Sequence, residues 1–173
     1  MINFNNIVID SKSGYSGAGR GVHKKYYNKN LNESLSAYGL NNHRHNSEIE
    51  KELNKSANKK IHFDFTPHLT PMFRGILTTI YVDIKKNMNK DKVFKFLKNY
   101  YKQQPFIKIT KDSFLSTNDV INTNFCNISV CNSKNKNKLI ILSSIDNLIK
   151  GGSGQAIQNM NKKFNFPAKM GLI

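Results

Sequence analysis

The sequence predicts an α+β fold: a mixed or mostly antiparallel sheet with helices on one face, in a single domain of 173 residues. Three observations predict it. Short β-branched runs recur along the chain, helical segments are interspersed among them, and the 38% of apolar residues suffices for one core. We find no internal repeat and no linker that would divide the chain.

Six segments are predicted to be strands because they combine apolar alternation with β-branched residues. In one of them Ile61, Phe63 and Phe65 alternate with polar residues and are expected to point inward. A polar run at 132–138 is typical of a hairpin and joins the last two strands. The predicted strands are residues 5–10, 60–65, 75–84, 105–110, 125–131 and 138–144.

Three segments show the apolar spacing of helices. The first, residues 45–55, has Ser47 three positions ahead of Glu50, the pattern of a capping box. The second, residues 90–102, is amphipathic, and the third, residues 145–164, is interrupted by glycines. Helices interspersed among strands in this way indicate the α+β class.

The chain carries a net charge of +16, which usually indicates binding to nucleic acid or to an anionic surface. The charge comes mostly from lysines scattered among asparagines, and the aromatic residues sit at core-like spacings. No nucleic-acid-binding motif is present. We interpret the charge as compositional drift at exposed positions and expect no nucleic-acid partner, with a selected basic surface as the alternative.

Two cysteines, Cys126 and Cys131, lie five positions apart, which is not a zinc-ligand spacing. No signal peptide is visible, so there is little reason to expect a disulfide. No apolar run is long enough to cross a membrane. We therefore expect a soluble, cytoplasmic protein with no metal site and no membrane partner.

Two loops carry residue types suited to binding anions. Residues 10–21 contain four glycines after a strand, although the dinucleotide and Walker fingerprints are missing. Glycines allow close backbone approach and expose N–H groups, but an ordinary flexible loop has the same composition. Residues 65–75 hold His68 between two prolines and end in Arg74, which suits a bidentate clamp for carboxylate or phosphate. A structural proline loop is the alternative.

The run HRH at residues 43–45 stands immediately before the first predicted helix. A metal site, a further basic patch and a proton-transfer site compete as interpretations. In an extended segment His43 and His45 face one side and Arg44 the other. A helix N-terminus disfavours imidazolium and the nearby Glu48 favours it, so a histidine here is poised near neutral pH. That favours acid–base chemistry over metal binding, although no nucleophile is evident.

Four motifs resemble, in order and spacing, the N-acetyl-gamma-glutamyl-phosphate reductase family of arginine biosynthesis: VIDSKSGYSGAGR, HRHNSEIE, FDFTPHLTPMFRGILTTIYV and SSIDNLIKGGSGQAIQNMN. The resemblance covers nearly the whole chain. It implies the catalytic and dimerisation domain shared with aspartate-semialdehyde and glyceraldehyde-3-phosphate dehydrogenases. In that family a cysteine thiolate attacks N-acetylglutamyl phosphate, phosphate leaves, and NADPH reduces the thioester to N-acetylglutamate semialdehyde.

Family members begin with a Rossmann domain and place the nucleophilic cysteine shortly before the first strand, whereas here only MINF precedes that strand. The expectation is a single domain, residues 1–173, that lacks both and has no reductase activity alone. Cys126 is expected to be a core cysteine. Such a chain could be a frameshifted fragment, a cloned domain, or half of a split enzyme that joins a separate Rossmann chain. Homo-oligomerisation through its sheet is also expected.

The resemblance implies roles for individual residues. His43 and His45 correspond to the acid–base pair, without a choice between them, and Glu48 would orient them. The implied substrate-binding residues, for the acetylglutamyl carboxylate or the leaving phosphate, are Arg44, Arg74 and His68. The implied NADP-contacting residues are Ser16, Gly17, Gln155 and Asn159. A polar helix face explains the last two equally well.

Three other functions remain open. The nearest is a related reductase of lysine synthesis that acts on carrier-bound aminoadipyl phosphate and shares the same motifs. The second is a basic nucleic-acid-binding protein, which steep salt dependence of DNA binding would indicate. The third is an inactive scaffold or regulatory remnant that dimerises without catalysing a reaction.

Overall fold

A seven-stranded mixed sheet forms the centre of the fold. The computed structural model describes residues 1–19 and 33–172. The strands are β1 Ile7–Gly14, β2 Ser36–Ala37, β3 Phe63–Thr70, β4 Ile76–Asp83, β5 Ile107–Lys111, β6 Cys126–Asn132 and β7 Lys138–Ile145. They lie in the order β2-β3-β1-β4-β7-β6-β5. The β1–β3 and β5–β6 pairs are parallel and the other described pairs antiparallel, which confirms the predicted sheet.

Helices cover one face of this sheet. The described residues form the α-helices α1 Asn46–Ala57, α2 Lys90–Tyr100 and α3 Gly154–Lys163. Leu53 of α1 and Val93 and Leu97 of α2 pack into the core, as their helical spacing predicts. The sheet residues of this core, which define its helix face, are Ile7, Val82, Val130 and Leu139. None of the described helices is long and apolar enough to cross a membrane.

Two strands run further than the sequence indicates. Residues 11–14, predicted to be loop, belong to β1, which pairs with β3 on one side and β4 on the other. Residues 66–70, predicted to be part of a proline-stiffened loop, belong to β3. Hydrogen bonding along both edges of β1 outweighs the local preference of Ser, Gly and Pro for turns. Residues 20–21 of the glycine segment lie outside the described residues.

The last predicted helix is shorter than expected. β7 continues to Ile145, a π-helical turn follows at Ile149–Ser153, and α3 begins only at Gly154. The buried carboxylate of Asp146 accepts hydrogen bonds from the backbone N–H groups of Leu148 and Ile149 at 2.8 Å each. These bonds lie between the strand and the π-helical turn, so Ile145 belongs to the strand and Leu148 precedes the turn.

The predicted capping box of α1 does not form. The helix begins at Asn46, so the N-cap position belongs to His45, and no side chain caps the helix N-terminus there. Ser47 therefore lies inside the first turn, two residues too late to act as the cap. By contrast, α2 is capped conventionally, because the Asn89 side chain accepts from the Lys92 backbone N–H at 2.9 Å.

Replacing Gly154 by alanine should destabilise the fold. A Cβ at this buried position would lie 2.5 Å from Oδ1 of Asn124 and 2.6 Å from Cγ2 of Ile149, so both would have to move. We expect Gly154→Ala to lower the free energy of unfolding by about 1–3 kcal/mol in denaturant titrations followed by circular dichroism. Gly151→Ala is the control, because its Cβ would meet Ile145 at an ordinary 3.5 Å. Equal effects of the two changes would contradict the packing argument.

Candidate functional site

A cavity of about 690 Å³ lies where the parallel strands β1 and β3 end, on the helix face of the sheet. A volume of this size is typical of small-molecule sites. Ser11 and Ser13 of β1 form a small polar floor, and Phe65 and Leu69 of β3 form an apolar wall. Alternation along the strands explains this set, since every second residue of a strand faces the same side. The sheet thus presents polar and apolar groups to one space.

The HRH segment, residues 43–45, forms another wall of the cavity. The His43 and His45 rings lie 5.0 Å apart, and His43 also contacts Tyr38 at 5.4 Å and Phe65 at 5.3 Å, edge to face. The segment is a turn rather than the predicted extended stretch, because α1 begins at Asn46. Both imidazoles line the cavity, as does Arg44, which was expected to face the other side.

The two histidines differ in their hydrogen bonding. The His45 backbone N–H donates to Nδ1 of His43 at 3.3 Å, so the proton of a neutral His43 ring lies on Nε2. The pKa of His43 lies below its usual value, first because the ring is partly buried and then because His45 and Arg44 place positive charge nearby. His43 is therefore neutral at neutral pH and offers an Nε2–H as a hydrogen-bond donor.

Arg44 gives the cavity a fixed positive charge. Its side chain is exposed at the cavity wall. Within residues 1–19 and 33–172 no carboxylate lines the cavity and none forms an ion pair with Arg44. A guanidinium that is free to bind a planar anion in two places favours carboxylate or phosphate ligands. The arrangement can hold an anion beside a neutral hydrogen-bond donor.

Ser16 and Gly17, predicted to contact NADP, lie in a 3-10 turn at Tyr15–Ala18 directly after β1. Gly17 lines the cavity. The Asn147 side chain, buried beneath them, donates from Nδ2 to the Ser16 hydroxyl at 2.9 Å and accepts at Oδ1 from the Gly75 backbone N–H at 2.7 Å. The turn, the start of β4 and the end of β7 thus meet at one side chain.

Arg74 is not brought to the cavity lining. Its Nε lies 3.4 Å from Oδ2 of the fully buried Asp146, and its Nη1 donates to Oδ1 of Asn122. Asp146 also accepts from the Asn122 backbone N–H at 2.8 Å. A buried carboxylate requires such a partner, because an uncompensated charge there would cost several kcal/mol. The surroundings of Arg74 therefore favour the structural alternative for this residue over a substrate clamp.

His68 also points away from the cavity. Its neighbours Pro67 and Leu69 line the cavity, so the alternation of β3 turns His68 to the opposite face. There its Nδ1 lies 3.1 Å from Oδ1 of Asp10, which also lies 2.7 Å from Nζ of Lys12. The sequence predicts a proline-stiffened loop at residues 65–75, but residues 65–70 belong to β3, and the strand directs His68 away from the cavity.

The remaining predicted site residues lie outside the cavity lining. Glu48 is exposed in the first turn of α1, and no ion pair joins it to a histidine in the described part of the chain. Gln155 and Asn159 lie one helical turn apart on α3, where Nε2 of Gln155 donates to Oδ1 of Asn159 at 2.9 Å. This contact is what a polar helix face produces.

Neither cysteine lines the cavity. Cys126 of β6 lies 3.5 Å from the Ser143 hydroxyl, and burial raises the pKa of its thiol above the usual value. Cys131 lies 3.5 Å from the Ser129 hydroxyl, and both thiols are free. Both side chains are half-buried in the sheet, and the surroundings of Cys126 do not favour its thiolate. Across the described ranges no group of three or more His, Cys, Asp or Glu side chains could hold a metal ion.

Several cavity residues carry no role in the sequence prediction. Phe65 could have been found from the inward alternation of its strand, and Asn147 from its place inside a family motif at a strand end. Tyr38 and Asn42 lie in a stretch of the chain without any regular pattern, so no sequence signal marks them. Their position depends on β2, a strand of only two residues.

A sequence profile of the semialdehyde dehydrogenase dimerisation domain matches residues 1–147. N-acetyl-gamma-glutamyl-phosphate reductase from Halothermothrix orenii is 45% identical over 174 residues, covering 99% of this chain and 50% of the relative. The reductase of the same name from Staphylococcus aureus strain USA300 is 41% identical over 173 residues, with 99% and 50% covered. The chain thus spans about half the length of the curated relatives it matches.

Solved structures show the same fold at low sequence identity. Aspartate semialdehyde dehydrogenase II from Vibrio cholerae superposes with a TM-score of 0.68 at 17% identity, covering 90% of this chain and 53% of that one. Aspartate semialdehyde dehydrogenase from Francisella tularensis gives 0.67 at 12% identity, with 92% and 58% covered. The fold class predicted from the sequence is confirmed.

Replacing His45 by glutamine should raise the pKa of His43. The change removes one of the two positive charges that lower this pKa but keeps the backbone N–H that holds Nδ1. Arg44→Gln should raise it less, and burial should keep it below the usual value in both variants. The measurement is a histidine titration by NMR, with the resonance of the exposed His62 as reference. An unchanged His43 curve in both variants would contradict this electrostatic account.

Proposed function

Because the chain belongs to the semialdehyde dehydrogenase dimerisation-domain family, we propose that it is the substrate-binding part of an NADPH-dependent N-acetyl-gamma-glutamyl-phosphate reductase. The reaction converts an acyl phosphate to a semialdehyde and releases phosphate. The observation that carries the proposal is the HRH turn, which places a neutral imidazole donor and an unpaired guanidinium on one wall of a cavity without carboxylates in its described lining.

Arg44 binds the anionic end of the substrate in this proposal. N-acetylglutamyl phosphate carries a carboxylate and a phosphate, and a guanidinium pairs with either in a bidentate manner. The apolar wall of Phe65 and Leu69 suits the acetyl group. Arg74 and His68 take no direct part, because their side chains are engaged with Asp146 and Asp10.

His43 is the proton-handling residue and His45 its modulator. The Nε2–H of His43 donates to the substrate carbonyl oxygen, where negative charge develops when a nucleophile attacks. His45 lowers the pKa of His43 and, through its backbone N–H, fixes the His43 tautomer. The attacking thiolate comes from the part of the relatives that this chain does not match, since Cys126 and Cys131 lie outside the cavity lining.

The nicotinamide end of NADPH fits against the 3-10 turn at Tyr15–Ala18. Gly17 has no side chain, and a Cβ there would already lie 3.4 Å from Nδ2 of Asn147, so the wall is flat and closely backed. When bound, the reduced nicotinamide supplies the hydride. Gly17 packs against its ring and Ser16, outside the cavity lining, anchors the turn, while Gln155 and Asn159 take no part in this contact because they bond to each other on α3.

The working protein is a cytoplasmic homo-oligomer that uses the sheet face opposite the helices. The free thiols of Cys126 and Cys131 support a reducing compartment. On the opposite face Tyr81 is 39% exposed and pairs with the half-buried Ile140, Leu142 lies diagonal to it, and the half-buried Leu77 lies further along β4. A contiguous apolar sheet surface of this kind supports pairing with a second copy.

Replacing Tyr81 by lysine should weaken self-association. Tyr81 is exposed in the monomer, so the change costs the fold little, but it places a charge in the proposed interface. We expect the dissociation constant to rise about tenfold or more in sedimentation velocity experiments. Phe96→Lys, which changes an exposed aromatic on the helix side, should leave it unaltered. A stronger effect at Phe96 would move the interface to α2.

A chimera provides the test of the reaction. Residues 1–173 replace the matching half of the Halothermothrix orenii relative, which supplies the remainder. We expect phosphate-dependent reduction of NADP with N-acetylglutamate semialdehyde, and His43→Gln should lower kcat by about 100-fold or more because a glutamine amide cannot transfer a proton as the imidazole does. His62→Gln, at an exposed position outside the cavity lining, is the matched control.

The outcomes separate the competing functions. Turnover of the aminoadipyl semialdehyde carried by its carrier protein, without turnover of the acetylglutamate compound, would replace the proposed substrate. A folded, oligomeric chimera that turns over neither compound would contradict the reductase proposal and favour a scaffold. Turnover that persists in the His43 variant but disappears in His45→Gln would exchange the roles of the two histidines.

A further inference from the structure

We infer that Asn147 is a positioning residue that holds the Ser16–Gly17 wall of the cavity in place for the nicotinamide ring. That the ligand is a nicotinamide ring rests on the proposed function, whereas the positioning role of Asn147 rests on its hydrogen bonds. Asn147 does not need to touch the substrate, because it acts through Ser16 and Gly17. Its side chain, 8% exposed, joins this wall to strand β4 by two hydrogen bonds that use its oxygen and its nitrogen.

One end of this connection is rigid. Gly75, whose N–H donates to Asn147, has φ +110°, and a Cβ there would lie 2.6 Å from Cβ of Thr117. The direction of its N–H is therefore fixed by a backbone conformation and by packing that only glycine allows. Asn147 itself follows Asp146, whose buried carboxylate is held by the backbone N–H groups of Asn122, Leu148 and Ile149. The backbone of Asn147 and the Gly75 N–H that its side chain accepts from are therefore both held in position.

The other end of this connection is the Ser16–Gly17 wall, which is held by backbone hydrogen bonds and by Asn147. The backbone N–H groups of Tyr15 and Ser16 donate to the carbonyls of Met72 and Phe73, both at 3.0 Å, and Gly17 follows this pair, exposed at the cavity. The bond from Nδ2 of Asn147 to the Ser16 hydroxyl, at 2.9 Å, adds a side-chain contact from below. Because Nδ2 of Asn147 also lies 3.4 Å from where a Cβ of residue 17 would be, it backs the wall at Gly17.

An asparagine suits this place because it must accept a hydrogen bond from Gly75 and donate one to Ser16 at the same time. Alanine removes both bonds. Without them the Ser16–Gly17 wall is free to shift, and a displacement of about 1 Å between reacting groups lowers a rate up to about 100-fold. The effect should fall on the nicotinamide and on the chemical step, while binding of the acyl substrate at Arg44 stays the same.

The structural half of the inference is tested on the 173-residue chain by amide hydrogen exchange. Asn147→Ala should lower the protection of the Gly75 amide by about tenfold, because that N–H loses its acceptor. Ser16→Ala should leave it protected, since Asn147 keeps its oxygen there. Asn54→Ala is the control: it removes a similar bond, from the Ile61 N–H at 2.6 Å, outside the cavity. Unchanged Gly75 exchange in Asn147→Ala would overturn the inference.

The kinetic half uses the chimera. Asn147→Ala and Ser16→Ala should both raise KM for NADP, by about tenfold for the former, and lower kcat, with KM for N-acetylglutamate semialdehyde unchanged. The double variant should be no worse than Asn147→Ala, because the two residues act as one unit. Ser16→Ala keeps the test valid if Asn147→Ala does not fold.

The outcomes distinguish the inference from the proposed function. A fall in kcat alone, equal to that of Asn54→Ala, or strictly additive effects of the two changes, would mean that Asn147 is merely structural and would overturn the inference. A wild-type chimera without turnover would contradict the proposed function. The exchange experiment would then decide alone whether Asn147 holds the Ser16–Gly17 wall.

Discussion

The buried carboxylate of Asp146 is the interaction on which the site depends. It accepts three backbone N–H groups and lies against the Arg74 guanidinium, with no exposure to solvent. Burying a charge is unfavourable unless it is paired and hydrogen-bonded, so this geometry tolerates little change. The carboxylate ends β7 and starts the turn at Ile149–Ser153, and both Asn147 and Gly151 reach the cavity from this junction.

The same constraint joins distant parts of the chain. Arg74 precedes β4, Asn122 precedes β6, and Asp146 follows β7, so one ionic cluster connects three strands of the sheet at a single end. The cavity lies at the neighbouring strand ends, so Asn147 in its lining directly follows a residue of this ionic cluster. The HRH wall has a different support, in which aromatic edge contacts replace the ionic cluster. The Asn147 side of the cavity is thus buried, whereas Arg44 and His45 of the HRH wall are exposed.

Sequence patterns predicted the sheet and the helices α1 and α2, because apolar periodicity reports which face a residue buries. They failed where contacts between residues far apart in the sequence determine the length of a strand or the partner of a side chain. The length of β1 depends on its two partner strands, and the partner of Arg74 lies 72 positions away, at Asp146. The resemblance implied substrate binding by His68, but this residue lies in β3, whose alternation directs its side chain to the face opposite the cavity.

The hydrogen bond from the His45 N–H to Nδ1 of His43 makes the HRH turn sensitive to acid. The pKa of His43 in the folded protein lies below the value of 6.5 that the unfolded chain has. Below pH 6.5 the unfolded chain therefore binds a proton more readily than the folded one, and acid destabilises the folded turn at His43. Protonation at Nδ1 also removes the acceptor that holds the residue preceding α1. Acid therefore removes one of the hydrogen bonds at the start of α1 while the strand pairing of the sheet is untouched.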